Sequence, residues 1–251
     1  MKSYRAIAFA IAGVCLPFAS LSAHAAEMKV LASTAVKTTL QELGPQFEKE
    51  TGNNISFTFG PAAVLKAQID KGAAFDLAIL TVPLINELVT AGKIDGRTQT
   101  VVARGGLGVA MRDGTPKPDV STPEAFKKML LNAKSIGFNR QGASRAASEA
   151  IFAKLGIAGD IKSKIKLLQT TASEGVVKGE VEVGLGPASE ILAASGAELV
   201  GLFPKELQWY LILHAGVAVA SKNTSAAELL IDFLKSPAGA AVLKSKGMKP
   251  G

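Results

Sequence analysis

Cysteine is nearly missing. The only one in 251 residues is Cys15, inside an apolar N-terminal run, so the rest of the chain holds no disulfide, thiol nucleophile or cysteine zinc site. Histidine is almost as scarce, with only His24 and His214. Neither a His-Glu-x-x-His helix nor a Gly-x-Ser-x-Gly turn occurs, and no serine–histidine–aspartate set is evident, which removes the common hydrolytic designs. Aromatics make up 6%, with a single tryptophan, Trp209. The Lys and Arg residues are dispersed rather than interleaved with aromatics, so no nucleic-acid surface is expected. His214, within an apolar run, reads as a core histidine rather than a metal ligand, and Trp209 as a packing residue.

Lys2 and Arg5 precede an apolar stretch from Ala6 to Leu16, and small residues then lead to Ala23-His24-Ala25. This order of charge, apolar run and small residues is a secretory signal peptide, too short to span a membrane. Residues 1–25 are therefore expected to be removed on export to the periplasm. Val14 stands where a lipobox needs a small residue, so Cys15 is not read as a lipid-attachment site. No second apolar run reaches spanning length. Losing Lys2 and Arg5 lowers the formal charge from +7 to +5. That excess suits an anionic ligand, or simply solubility.

Short apolar runs alternate with helical patterns through the remaining chain. Runs at 28–32, 55–59, 75–80, 106–111, 136–138, 165–169, 181–185, 199–203 and 211–220 read as strands. Between them, Val36, Leu40, Leu43 and Phe47 mark a helix closed by Gly52. Gly60-Pro61 opens a second, Pro83 starts a third that stops at Gly92, and Ser121-Thr122-Pro123-Glu124 caps a fourth. Further helices are expected over 146–155, after Thr171, over 188–194, over 226–235 with Ser225 as cap, and over 237–246. Such alternation predicts an α/β fold of mostly parallel sheets flanked by helices. Two lobes joined by two crossing segments are favoured over one doubly wound sheet. Arg104-Gly105-Gly106 reads as a place where the chain crosses and flexes, and 211–220 is long enough to return. The expected division is 26–104 with 213–251 as one lobe and 105–212 as the other.

In open parallel sheets, ligands bind beyond the carboxyl ends of strands, where helix N-termini present backbone N–H groups. Four junctions fit. Ser33, Thr34 and Ala35 follow the first strand, and Gly60, Pro61 and Ala62 the second. In the second half, Arg140, Ala143, Ser144 and Arg145 lie in one strand-to-helix turn, and Gly186 and Pro187 in another. Each is an ordinary helix start when taken alone. Together they form an anion clamp, with small side chains admitting the ligand and the two arginines offering forked donors. Asp76 is read as structural, accepting backbone N–H bonds.

The segments VLASTAVKTTLQELGPQFEKETG, FTFGPAAVLKAQIDKGAAFDLAIL and LIDFLKSPAGAAVLKSKG resemble the periplasmic molybdate-binding proteins of ABC importers. The resemblance spans nearly all of the chain after residue 25. It implies the two-lobed periplasmic binding protein clamp, capture of a small anion, and delivery to the importer's permease subunits, by a monomer without cofactor or catalytic role. The family's pattern also departs here. Ala35 and Ala62 stand where that family places ligand-binding serines, and its tyrosine is replaced near Gly186-Pro187. These departures, with Arg140 and Arg145 added, suggest a ligand other than or broader than molybdate, such as an organic carboxylate. A sensory protein presenting its ligand to a receptor is the main alternative, and an enzyme on the same fold the weaker one.

Overall fold

The computed structural model describes residues 27–251. The expected signal peptide lies outside the described residues. The strands are β1 (Met28–Ser33), β2 (Ile55–Gly60), β3 (Leu77–Thr81), β4 (Thr100–Arg112), β5 (Ile136–Asn139), β6 (Ile165–Leu168), β7 (Val183–Pro187), β8 (Ala197–Leu202), β9 (Tyr210–Val217) and β10 (Met248–Pro250). The helices are α1 (Lys37–Thr51), α2 (Ala62–Asp70), α3 (Val82–Thr90), α4 (Pro123–Asn132), α5 (Ser144–Lys154), α6 (Ala172–Val177), α7 (Ala188–Leu192), α8 (Thr224–Lys235) and α9 (Pro237–Ser245).

Side-chain alternation sorts the strands into layers. In β1, Met28, Val30 and Ala32 point into one apolar cluster with Leu40, Leu43 and Phe47 of α1, while Leu31 joins a second with Leu65 and Ile69 of α2. All five residues of β3 are buried, as befits a strand covered on both faces. The same logic repeats further on. Leu107, Val109 and Met111 of β4 face Phe126, Phe138 and Phe152, whereas Ala110 faces Leu168 and Val176. The first two clusters draw only on residues 28–103 and 211–248, and the other two only on 107–207.

Two sheets result, joined through one strand. β1 pairs in parallel with β2 and β3, and β9 lies antiparallel between β3 and β4. In the second sheet β5 pairs in parallel with β6 and β7. From Thr100 to Gly106, β4 bonds to β9 and, over Ala103 to Gly105, to β10 on its other edge. From Leu107 onward its partners are β7 and β8.

Two local expectations change. Arg104-Gly105-Gly106 does not lie between elements, because those residues run through β4 opposite Ile212, Leu211 and Tyr210. Pairing on both edges overrides the usual breaking tendency of Gly-Gly. Gly105 is also where Met248 packs, since a Cβ there would lie 3.3 Å from its Cε. At α8 the cap position is Asn223, not Ser225, which lies inside the first turn. Asp76 holds the first sheet as expected: its carboxylate accepts from the Lys29 amide at 2.8 Å and the Ser221 hydroxyl at 2.7 Å.

Candidate functional site

The carboxyl ends of β1, β2, β5 and β7 all open onto one narrow cavity of about 40 Å³. One water occupies roughly 10–15 Å³ on this measure, so the space suits a compact group rather than an extended one. Ser33 and Thr34 border it from β1 and the 3-10 turn that leads to α1, and Pro61 and Ala62 from the start of α2. Across from them stand Asn139, Gly142, Ala143 and Ser144 at the start of α5, with Gly186 and Pro187 ahead of α7. The two sheets therefore meet at the cavity through strand-to-helix junctions.

Each junction has a local cause. Pro61, Ala143 and Pro187 precede α2, α5 and α7 with no side-chain cap, and the first-turn amides of a helix have no partner inside it. Those helix starts therefore keep donor capacity at the wall. Asn139 shapes its turn from both ends of its amide: Oδ1 accepts from Gln141 N at 2.8 Å and Nδ2 donates to Thr170 O at 2.9 Å. Hydroxyls come from the buried Ser33 and Ser144 and from the half-buried Thr34 and Thr171.

Four expected residues are not among the lining residues. Ala35 is buried in the core behind the cavity, and its amide donates to Ser33 Oγ at 3.4 Å. Gly60 ends β2 with Leu65 against its α-carbon, 3.4 Å from a notional Cβ. Arg140 is exposed. Arg145 turns along α5, with Nε 2.9 Å from Glu149 Oε1 in an i,i+4 pair. No Lys, Arg or His borders the cavity among the lining residues.

Thr171, Ala172, Leu185, Glu190 and Leu211 complete the wall, and like Asn139 and Gly142 they were not among the expected site residues. Thr171 had a readable signal, since it follows a strand and heads a helix like the other junctions. Its hydroxyl caps α6 by accepting from Glu174 N at 3.2 Å. α6 comes this close because β7 carries Gly184, where a Cβ would stand 2.7 Å from Ala172 O. Glu190 lies in the first turn of α7 and had no local signal as a site residue. It is the only ionisable side chain on the wall, and burial, with a smaller contribution from the charge of Glu174, pushes its carboxyl up to about 7.

Thr34, Thr171 and Glu190 also border an adjoining, more open cleft of about 380 Å³, where Lys37, Glu174 and Lys178 stand. A separate cleft of about 480 Å³ is bordered by Met111, Ala133 and Val183. It lies at the amino ends of β5 and β7, the edge of the second sheet where helix N-termini do not point, and is set aside. His214 is not among the lining residues of the cavity. It is half-buried in β9, its Nδ1 2.9 Å from Gln99 Nε2, and burial and then Arg104 hold its pKa below the ordinary value. Among the described residues, no three His, Cys, Asp or Glu side chains are grouped as a metal site.

Comparison with known proteins agrees with this architecture. The structure superposes on the periplasmic molybdate-binding protein of Azotobacter vinelandii with a TM-score of 0.75 at 21% identity, covering 88% of this chain and 98% of that one. The sulfate-binding protein SubI of Mycobacterium tuberculosis gives a TM-score of 0.72 at 17% identity, covering 89% and 86%. In sequence, the chain is 24% identical over 229 residues to an aconitate isomerase of a Pseudomonas species, covering 89% of this chain and 87% of the relative. It is 26% identical over 235 residues to the A. vinelandii molybdate-binding protein ModA, covering 90% and 91%. The family model for bacterial extracellular solute-binding proteins matches residues 28–249. With its α/β clamp architecture and a match along almost the whole described chain, the protein belongs to the bacterial extracellular solute-binding protein family.

Proposed function

We propose that this protein captures a compact oxyanion in the periplasm and delivers it to the permease of an ABC importer. The observation carrying this reading is that strand-to-helix junctions from both sheets border one small cavity. Amides at helix starts and neutral hydroxyls replace the water an anion loses on entry, and helix N-termini favour negative charge. With Arg140 and Arg145 outside the lining, these neutral donors carry the binding. A tetrahedral oxyanion fits the space, and relatives named for molybdate and sulfate support that class.

Capture follows from the strand pairing. The two sheets act as lobes and pivot where β4 changes partners between Gly106 and Leu107. In the open form, the anion meets the junctions of one lobe. Recruiting those of the other shifts the population toward the closed clamp, whose outer surface the permease reads. Calorimetric titration of the protein lacking residues 1–25 with molybdate, tungstate, sulfate and small carboxylates is the test. Saturable one-to-one binding of an oxyanion supports the reading, and no heat with any of them sinks it.

Glu190 favours a second reading. A carboxyl titrating near neutrality suits proton transfer, and one relative is named an aconitate isomerase. An enzyme on this clamp would use Glu190 to move a proton between carbons of a small unsaturated carboxylate. Following trans-aconitate by NMR in heavy water checks this. Conversion or deuterium uptake that disappears in Glu190→Gln supports catalysis, and unchanged aconitate removes it.

A further inference from the structure

An anion held in this cavity would share it with one acidic side chain and no basic one. Glu190 reaches the wall from α7, between the narrow cavity and the adjoining cleft, and its carboxyl makes no hydrogen bond or ion pair within the protein among the described residues. No Lys, Arg or His among the lining residues can offset its charge there. Glu190 is half-buried, and two negative charges in so narrow a space repel because few water molecules fit between them.

The other charged groups near Glu190 leave that conflict in place. On α6, Glu174 adds negative charge, and Lys178 lies in the adjoining cleft and is exposed. Lys37 of α1 borders the same cleft and is also exposed. α7 packs also on β4 and β8, where Arg112 donates to Val177 O at 2.8 Å and Glu198 pairs with Lys117. β7 contributes no charge. None of these groups lies in the chamber wall.

On the reading that the cavity binds an anion, we infer that capture takes up a proton, held on the Glu190 carboxyl. Protonation does two things at once. It removes the repelling charge, and it turns an acceptor into an O–H donor that the anion can use, as in other sites where a neutral acid serves as donor. Glu190 is thus a selecting residue: it tunes the site to anions arriving with a proton available and weakens capture as the periplasm becomes alkaline. Because the free carboxyl titrates near 7, uptake should be slight at acid pH and approach one proton per anion well above neutrality. Over that alkaline range Kd should rise about tenfold per pH unit.

The test uses the protein without residues 1–25, with molybdate and sulfate, whose own charge is constant between about pH 6 and about pH 9. Titration calorimetry in two buffers of different ionisation enthalpy counts the protons exchanged. The expected result is net uptake at about pH 8 and almost none at about pH 6. Glu190→Gln, which keeps a donor but cannot titrate, should bind with the same affinity at both pH values and exchange no protons. Binding without proton uptake in the wild type, or uptake that survives in Glu190→Gln, overturns the inference while leaving anion capture intact. No binding of either anion at any pH defeats both. The wild-type proton count stands even where the variant folds poorly.

Discussion

The side-chain amide of Gln208 clasps the backbone of Leu107 at both ends, its Oε1 accepting from Leu107 N at 2.9 Å and its Nε2 donating to Leu107 O at 3.1 Å. Leu107 is where β4 leaves the first sheet and enters the second, and Gln208 is part of the segment returning the chain to β9. The amide thus ties the two crossing segments together like an added rung of sheet. Gly106 leaves it room, since a Cβ there would stand 3.2 Å from Gln208 Nε2.

Gln208→Ala removes the bonds to Leu107 N, Leu107 O and Phe203 O; Leu107 O keeps the Phe203 amide as a donor, but the N–H of the fully buried Leu107 loses its acceptor. A destabilisation of about 1–3 kcal/mol is expected, seen as a lower Tm in a thermal melt. The same variant should loosen closure, so ligand dissociation in stopped flow should quicken more than association slows. An unchanged Tm would show that the clasp contributes nothing.

Ala62→Asp puts a carboxylate at the first position of α2, on the cavity wall. A helix N-terminus tolerates an acidic residue, so the fold should persist. Like charges facing each other in a binding site cost several kcal/mol, equivalent to at least about a hundredfold in Kd. Circular dichroism should match the wild type while calorimetric binding is lost. Retained affinity would place the ligand elsewhere.

Arg140→Ala and Arg145→Ala separate the sequence-based clamp from the neutral one. Neither side chain lines the cavity, and the half-exposed Arg145–Glu149 pair is of the kind that contributes about 0.5 kcal/mol or less. Affinity should change less than about threefold in either variant. A loss of tenfold or more would bring the guanidinium groups into the site on closure.

Glu190 also makes stability depend on pH. Its folded carboxyl titrates at about 7 against an ordinary 4.5, so the native state holds the proton more tightly than the unfolded one. The contribution is complete below about 4.5 and is lost as pH rises through about 7, levelling off above. Melts of ligand-free protein across that window should show a falling Tm, and Glu190→Gln should flatten the slope. His214 acts with the opposite sign. Its depressed pKa means stability is lost as pH falls through the ordinary histidine value of 6.5, and His214→Gln should remove that smaller dependence.

Asp76→Ala strands the Lys29 amide and the Ser221 hydroxyl, both bonded to a carboxylate that is only 8% exposed. Bonds to a charged group are the costlier ones to lose, and about 2–4 kcal/mol of destabilisation is expected from urea unfolding. Asp76→Asn, which keeps the shape and one acceptor, should recover part of it.

The order of strands and helices is legible in the residues because it rests on local periodicity and end signals. Met28, Val30 and Ala32 against Leu31 announce a strand, and Gly52 at φ +72° announces a helix end. The junction residues Ser33, Thr34, Pro61, Ala62, Ala143, Ser144, Gly186 and Pro187 are legible for the same reason: each follows a strand and precedes a helix. That Arg104-Gly105-Gly106 lies within a strand, not between elements, is not legible, because its strand character comes from β9 and β10, which are more than a hundred residues away.

What the chain alone determined is its set of α/β elements and the helix starts able to receive an anion, since both follow from short-range chemistry. The pairing of Arg145 with Glu149 is likewise a local i,i+4 contact of α5. Tertiary structure decided which of those helix starts share a chamber and that Glu190 is the one ionisable group on its wall. Those outcomes depend on the approach of two sheets through β4 and on the burial of one carboxyl by neighbours distant in sequence, and no local pattern encodes either.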